Sequence, residues 1–190
     1  MESRINWKVI VIGLLWQPLL SFAGCVGEDK LRTGDLVFRY EDSLISKVVL
    51  AYQGDSNFSH VGMALRTDQG WKITHAEYDP SREIDGVISE SYCSYIRLAQ
   101  RGVIKRFNKP YGFDEMVFHR TLREHQFKKF NLRLKTDDIK SVYCTQYVWL
   151  VHKKIYGFDP FNLKKQPDEI IVVKDLYQSP YFSEIYRFNN

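Results

Sequence analysis

Cysteine is scarce in this chain. Cys25, Cys93 and Cys144 are the three among 190 residues, which leaves room for one disulfide at most. No cysteine or histidine pairs stand at zinc-finger spacing, and no glycine-rich phosphate loop occurs. Basic residues number 27 and acidic residues 23, for a net charge of +4, and neither sign forms a block. Without a basic stripe, nucleic acid is not the expected partner. Without close-spaced ligands, no metal and no cofactor are expected. The N-terminal apolar stretch, Val9 to Leu20, is broken by Gly13, Gln17 and Pro18. It falls well below the roughly 20 residues that cross a bilayer. Repeats and low-complexity linkers are missing too, so residues 28–190 read as one domain.

What the chain does contain is a globular composition, 44% hydrophobic and 15% aromatic, enough for a core in a domain of this size. Ahead of the domain, Arg4 and Lys8 precede the apolar stretch, and Ser21-Phe22-Ala23-Gly24 supplies the small residues of a cleavage site. Residues 1–25 therefore read as a secretory signal. Phe22-Ala23-Gly24-Cys25 resembles a bacterial lipobox, which implies lipidation of Cys25, a membrane anchor and a place in the cell envelope. Cleavage after Ala23 and release is the alternative. If Cys25 carries lipid, Cys93 and Cys144 remain in an oxidising compartment, where a disulfide between them is the plain structural expectation.

Periodicity outlines the domain. Leu36 to Tyr40 reads as a strand, and Leu44, Ile45, Val48, Val49 and Tyr52 have helical spacing. His60 to Leu65 and Trp71 to Tyr78 form a hairpin. Gly86 to Ile88 and Tyr95 to Leu98 are expected as short strands, and Val103 to Phe107 as another. Met116 to Leu134 leans toward extended pieces, with a helical alternative. Ser141 to Tyr156 is the clearest helix: Tyr143, Tyr147, Leu150, Val151 and Ile155 form a stripe, Ser141 suits an N-cap, and Gly157 ends it. Strands in the first half and a helix in the second give an α+β class.

Two motifs carry chemistry. Cys144 falls near the start of that helix, where free amides and the helix dipole favour a thiolate. His60 opens a strand whose same-face neighbours, Gly62 and Ala64, are small enough for the Cys144 helix to dock. The pair reads as a nucleophile and its base. A base needs an orienting partner. His75 and Glu77 on the neighbouring strand both qualify, and alternation alone does not choose between them. Each residue also has a bland reading: Cys144 as a small buried hydrophobe, the others as solvated strand side chains. His152 lies two turns along from Cys144, about 12 Å away and too far for direct proton transfer. His119 and His125 have no motif, and Cys93 reads as structural. A zinc site from His60, His75 and a cysteine is conceivable but has no ligand pair to support it.

At these residues the chain resembles the circularly permuted papain-like amidases, the YaeF/YiiX-type relatives of NlpC cell-wall peptidases. The resemblance rests on Thr33-Gly34-Asp35-Leu36-Val37-Phe38, Ser59-His60-Val61-Gly62-Met63, Lys109-Pro110-Tyr111-Gly112-Phe113-Asp114, Tyr143-Cys144-Thr145-Gln146-Tyr147-Val148 and Asp175-Leu176-Tyr177-Gln178-Ser179-Pro180. It implies a permuted papain-like (NlpC-like) fold, with a small antiparallel barrel-like sheet packed on the nucleophile-bearing helix. It implies Cys144 as nucleophile, His60 as base and His75 as the third member, with Glu77 as fallback. Tyr111 and Gln146 are then candidate substrate contacts, although Gln146 replaces a Glu and Gly112 an Asp of the family pattern. The implied substrate is a peptide amide of the cell wall, or an acyl lipid or N-acyl amino acid. A non-catalytic binding module on the same fold is the alternative of a different class.

Overall fold

The structure is a computed structural model that describes residues 24–42, 44–54, 57–108, 112–138, 140–163 and 169–189. The stretch expected to be a signal, up to residue 23, and the candidate contact Tyr111 lie outside the described residues. In chain order the strands are β1 (Leu36–Tyr40), β2 (His60–Thr67), β3 (Gly70–Asp79), β4 (Ile84–Ser91), β5 (Arg101–Phe107), β6 (Lys129–Phe130), β7 (Ser141–Val142) and β8 (Phe182–Asn189). The helices are α1 (Leu44–Gln53), α2 (Tyr92–Arg97), α3 (Glu115–His125), α4 (Cys144–Tyr156) and α5 (Val173–Tyr177). Six strands form an antiparallel sheet in the order β4-β3-β2-β1-β5-β8, and β6 pairs with β7 in a parallel two-stranded piece. The architecture is mixed α+β with a mostly antiparallel sheet.

Alternation along the strands creates two cores. Leu36, Phe38, Val61, Met63, Ala76 and Val103 face α4, whose Tyr147, Val148 and Val151 bury against them. The opposite face carries Val37, Ala64, Ile73 and Ile104, covered by Tyr92, Tyr95 and Ile96 of α2. Antiparallel pairing sets Arg39 opposite His60 and His75 opposite Ile88. Those polar residues therefore emerge on the α2 face, at one end of the sheet.

Three elements differ from the sequence expectation. Tyr95 to Leu98 is not a strand: Tyr95, Ile96 and Arg97 belong to α2, and the Ser91 hydroxyl caps that helix by accepting from the Ser94 amide at 3.1 Å. Met116 to His125 is helical rather than extended. Asp114 caps α3 by accepting from Val117 N–H at 2.9 Å, and Phe118, Thr121, Leu122 and His125 form its buried stripe. The cysteine helix begins later than Ser141. Ser141 and Val142 pair with Lys129 and Phe130 instead. The Ser141 hydroxyl donates to Asp138 Oδ2 at 2.6 Å and caps nothing. The aromatic tail adds β8 to the edge of β5.

Candidate functional site

Four side chains from three neighbouring strands converge beneath Tyr95: Arg39 from β1, His60 from β2, and His75 and Glu77 from β3. His60 Nε2 lies 2.8 Å from His75 Nδ1. His75 Nε2 in turn lies 3.1 Å from Glu90 Oε1 on β4. Glu77 Oε2 stands 3.5 Å from His75 Nδ1. Gly62 makes this stacking possible. A Cβ there would sit 2.4 Å from Ile73 Cγ2 and 3.1 Å from His75 Cβ. The space beside Gly62 is thus filled by β3, not by α4 as the small residues had implied.

Arg39 is fully buried and holds the acids together. Its guanidinium reaches Glu41 at 3.1 Å, Glu77 at 3.4 Å and Glu90 at 3.7 Å. It donates to the Tyr95 carbonyl at 3.0 Å and stacks 4.2 Å from that ring's centre. A buried guanidinium is tolerated only with such partners. His60 is held well below its ordinary pKa, first by burial and then by the positive charges of Arg39, His75 and Arg82. Burial also lowers His75, against the opposing pull of Glu90. Both rings are therefore neutral at rest.

Cys144 occupies the first turn of α4, with Tyr143 as N-cap; the Tyr143 amide donates to Gln146 Oε1 at 3.3 Å. The amides of Thr145 and Val61 face the sulfur and favour its charged form, yet burial outweighs them and pushes the thiol up to about 11. Cys144 therefore rests as a thiol, which corrects the expectation of a thiolate created by the helix N-terminus. Val61 follows His60 directly, so the sulfur sits at the His60 end of β2. No hydrogen bond joins it to His60 in this structure.

The structure thus gathers Cys144, His60, His75 and Glu77 at one end of the sheet. Gln146 is employed differently. Buried, it donates from Nε2 to the carbonyls of Thr136 and Asp138, both at 3.0 Å, and clamps the loop before α4. That corrects its reading as a substrate contact. Cys25 is bonded to Cys93, with Cα atoms 5.5 Å apart. A sulfur in a disulfide cannot also form a thioether, so this pairing overturns lipidation at Cys25, and it equally removes a Cys93–Cys144 bond. Cys144 is the free cysteine. Two residues were missed, Arg39 and Glu90. Extending the Gly86 to Ile88 strand by two residues would have put Glu90 in phase with Ile88, the partner of His75.

His60, His75 and Glu77 also place one ligand atom each within 4.8 Å of one another. Glu77 Oε2 is buried without a hydrogen-bond donor. Two imidazoles and a carboxylate at this spacing fit a divalent metal such as zinc. Cys25, Glu28 and Cys93 form a second such group, but its two sulfurs are committed to each other.

A mostly antiparallel sheet with the cysteine helix on one face and a His–His–Glu chain on the other defines an α+β protein of YiiX-like fold. The particular likeness is to a crystal structure of the metalloprotein yiiX from Escherichia coli O157:H7, with a TM-score of 0.68 and 15% identity, covering 84% of this chain and 98% of that one. No family model and no curated protein matches the sequence.

Proposed function

We propose that this protein is a thiol hydrolase that opens an amide or ester carbonyl, with Cys144 as nucleophile, His60 as base and His75 as its orienting partner, on a permuted papain-like arrangement. The observation that carries this reading is the chain Glu90–His75–His60. Carboxylate Glu90 accepts from His75 Nε2–H, which leaves His75 Nδ1 as a lone pair. That lone pair accepts from His60 Nε2–H, and His60 Nδ1 becomes the basic nitrogen. Neutral thiol and neutral imidazole then react together: the sulfur attacks the carbonyl carbon as its proton passes to His60 Nδ1. The proton goes on to the departing amine or alcohol as the C–N or C–O bond breaks, leaving a thioester. Water repeats the sequence, giving its proton to His60, and the acid and thiol are released. The backbone N–H of Cys144, in the first turn of α4, supports the oxyanion.

The substrate belongs to the cell envelope in this reading, as a peptide amide or an acyl compound, and the protein is exported; a disulfide at Cys25 suits an oxidising compartment. The test is p-nitrophenyl acetate hydrolysis with mass analysis of the intact protein. An acetyl thioester on Cys144 is expected, absent in Cys144→Ala and slowed in His60→Ala. Turnover that ignores both substitutions ends the proposal.

A second reading rests on Glu77 Oε2, the buried oxygen without a donor. Here His60 Nε2, His75 Nδ1 and Glu77 Oε2 hold a divalent metal, which when bound would polarise a carbonyl or lower the pKa of water. The yiiX structure, a protein of the same fold, is described as a metalloprotein. The readings exclude each other at one contact, because two nitrogens sharing a proton at 2.8 Å cannot both ligate a metal. Stoichiometric metal in the purified protein, with activity that survives Cys144→Ala but not chelation, selects the second.

A further inference from the structure

We propose that Cys144 acts on a linear aliphatic acyl group, received by an apolar cleft in whose wall its sulfur lies. The inference deepens the thiol-hydrolase reading by naming the substrate class.

The cleft is narrow, about 110 Å³, smaller than the roughly 300–1,000 Å³ of sites that take drug-sized molecules, so it suits a slim chain that continues outward over the exposed rim. Its walls are Val48, Val49 and Tyr52 of α1, Phe130 of β6, Leu134, and the segment Ile170 to Val173 that leads into α5. Tyr143, Cys144 and Thr145 at the start of α4 complete the lining. Among the described residues, no charged side chain lines it. Its polar groups are already committed to one another. Tyr143 Oη accepts from Ile171 N–H at 2.9 Å and meets the Thr136 hydroxyl at 2.9 Å. The Thr145 hydroxyl donates to the Ile171 carbonyl at 2.5 Å, and the Val172 amide donates to Asp175 at 2.9 Å. A ligand entering here meets carbon.

Two further observations separate this wall from ordinary core. Leu134 has φ of 53°, a left-handed conformation costly for a branched side chain. Val48 and Tyr52 are 60% and 65% exposed at the rim, so the apolar surface continues outward from the cleft. A cell-wall stem peptide carries carboxylates and would leave them unpaired against this wall. A methylene chain would not. With the sulfur set in the wall, the group that enters is the one bonded to the attacked carbonyl, and it becomes the acyl half of the thioester.

Binding of dodecanoate, decanoate and octanoate to the Cys144→Ala protein, measured by calorimetry, tests the cleft without catalysis. Affinity should rise about fourfold for each methylene buried. Val48→Asp should weaken dodecanoate about tenfold. Equal affinity across chain lengths, or no saturable binding of dodecanoate, overturns the acyl site. So does binding confined to an acidic stem peptide. With the unsubstituted protein, dodecanoylglycine and dodecanoyl lysophosphatidylcholine identify whether the acyl group comes from an amino acid or a lipid, and preferential turnover of either over its acetyl counterpart supports the proposal. Dodecanoate binding with no Cys144-dependent turnover of either removes the enzyme but keeps the acyl site.

Discussion

The two faces of the sheet are built from alternate residues of the same strands, yet they do opposite things. Phe38 points toward α4 and Arg39 away from it; Val61 and His60 divide likewise, as do Ala76 and His75. The α4 face is mainly hydrocarbon, with Thr74 hydrogen-bonded to Tyr147 at 3.0 Å, and supplies cohesion. The α2 face holds a buried guanidinium, two neutral imidazoles and three carboxylates, a set that contributes little net stability and demands complete partnering. Cys144 comes from the helix of the first face and meets the second only at the end of β2. A one-residue register slip would exchange the faces and destroy both.

That division of labour can be attacked from either side. Cys144→Ala should lower turnover by about a thousandfold or more while unfolding midpoints stay near those of the unsubstituted protein. Loss of both together would mean that the sulfur is core rather than nucleophile. Phe38→Ala, on the apolar face, should cost about 3–5 kcal/mol in urea unfolding and leave turnover per folded molecule intact, since Phe38 points away from the polar cluster.

His152 is the apolar face's own histidine. Its ring nitrogens meet the Val148 carbonyl at 3.0 Å and the Gly34 carbonyl at 3.3 Å, and burial lowers its pKa to about 4. Because the folded value lies below the unfolded one, the neutral ring's stabilisation is complete above pH 6.5 and fades as pH falls toward 4. That loss should be on the order of 3 kcal/mol. A stability profile flat between those pH values would contradict it. The smallest effect is expected at Glu90→Gln. It retains shape but removes the charge that fixes the His75 and His60 tautomers, so turnover should fall about tenfold to a hundredfold. The same logic puts the acid limb of activity below pH 6.5, because burial holds His60 neutral. A limb at about pH 7 or above would show an ion pair instead.

Much of this was legible beforehand because it depends on short-range pattern. The β2–β3 hairpin, the α4 stripe and the convergence of His60, His75 and Glu77 all follow from periodicity and turn residues. What escaped depends on partners distant in sequence. Arg39 alternates in phase with His60 only once β1 is known to pair with β2, and a lone strand arginine reads as solvated. Ser141 had the chemistry of an N-cap, but ladder pairing with Lys129 claimed it first. The raised Cys144 thiol was hidden for a related reason: proximity to a helix terminus is visible in sequence, whereas desolvation is not. In α3 the spacing of Phe118, Thr121, Leu122 and His125 was available, and its polar flanks obscured it.

The Cys25–Cys93 disulfide spans 68 residues of chain, and closing such a loop is worth about 4 kcal/mol by chain entropy. Its other consequence concerns parity. Three cysteines in an oxidising environment invite scrambling, and a half-buried thiol proposed for attack is lost if it finds a mate. By consuming the other two thiols in one bond, the fold leaves Cys144 as the odd sulfur, with no partner in its own chain. The bond that secures the N-terminal segment to α2 thereby also keeps Cys144 a free thiol, the form that the proposed hydrolase needs.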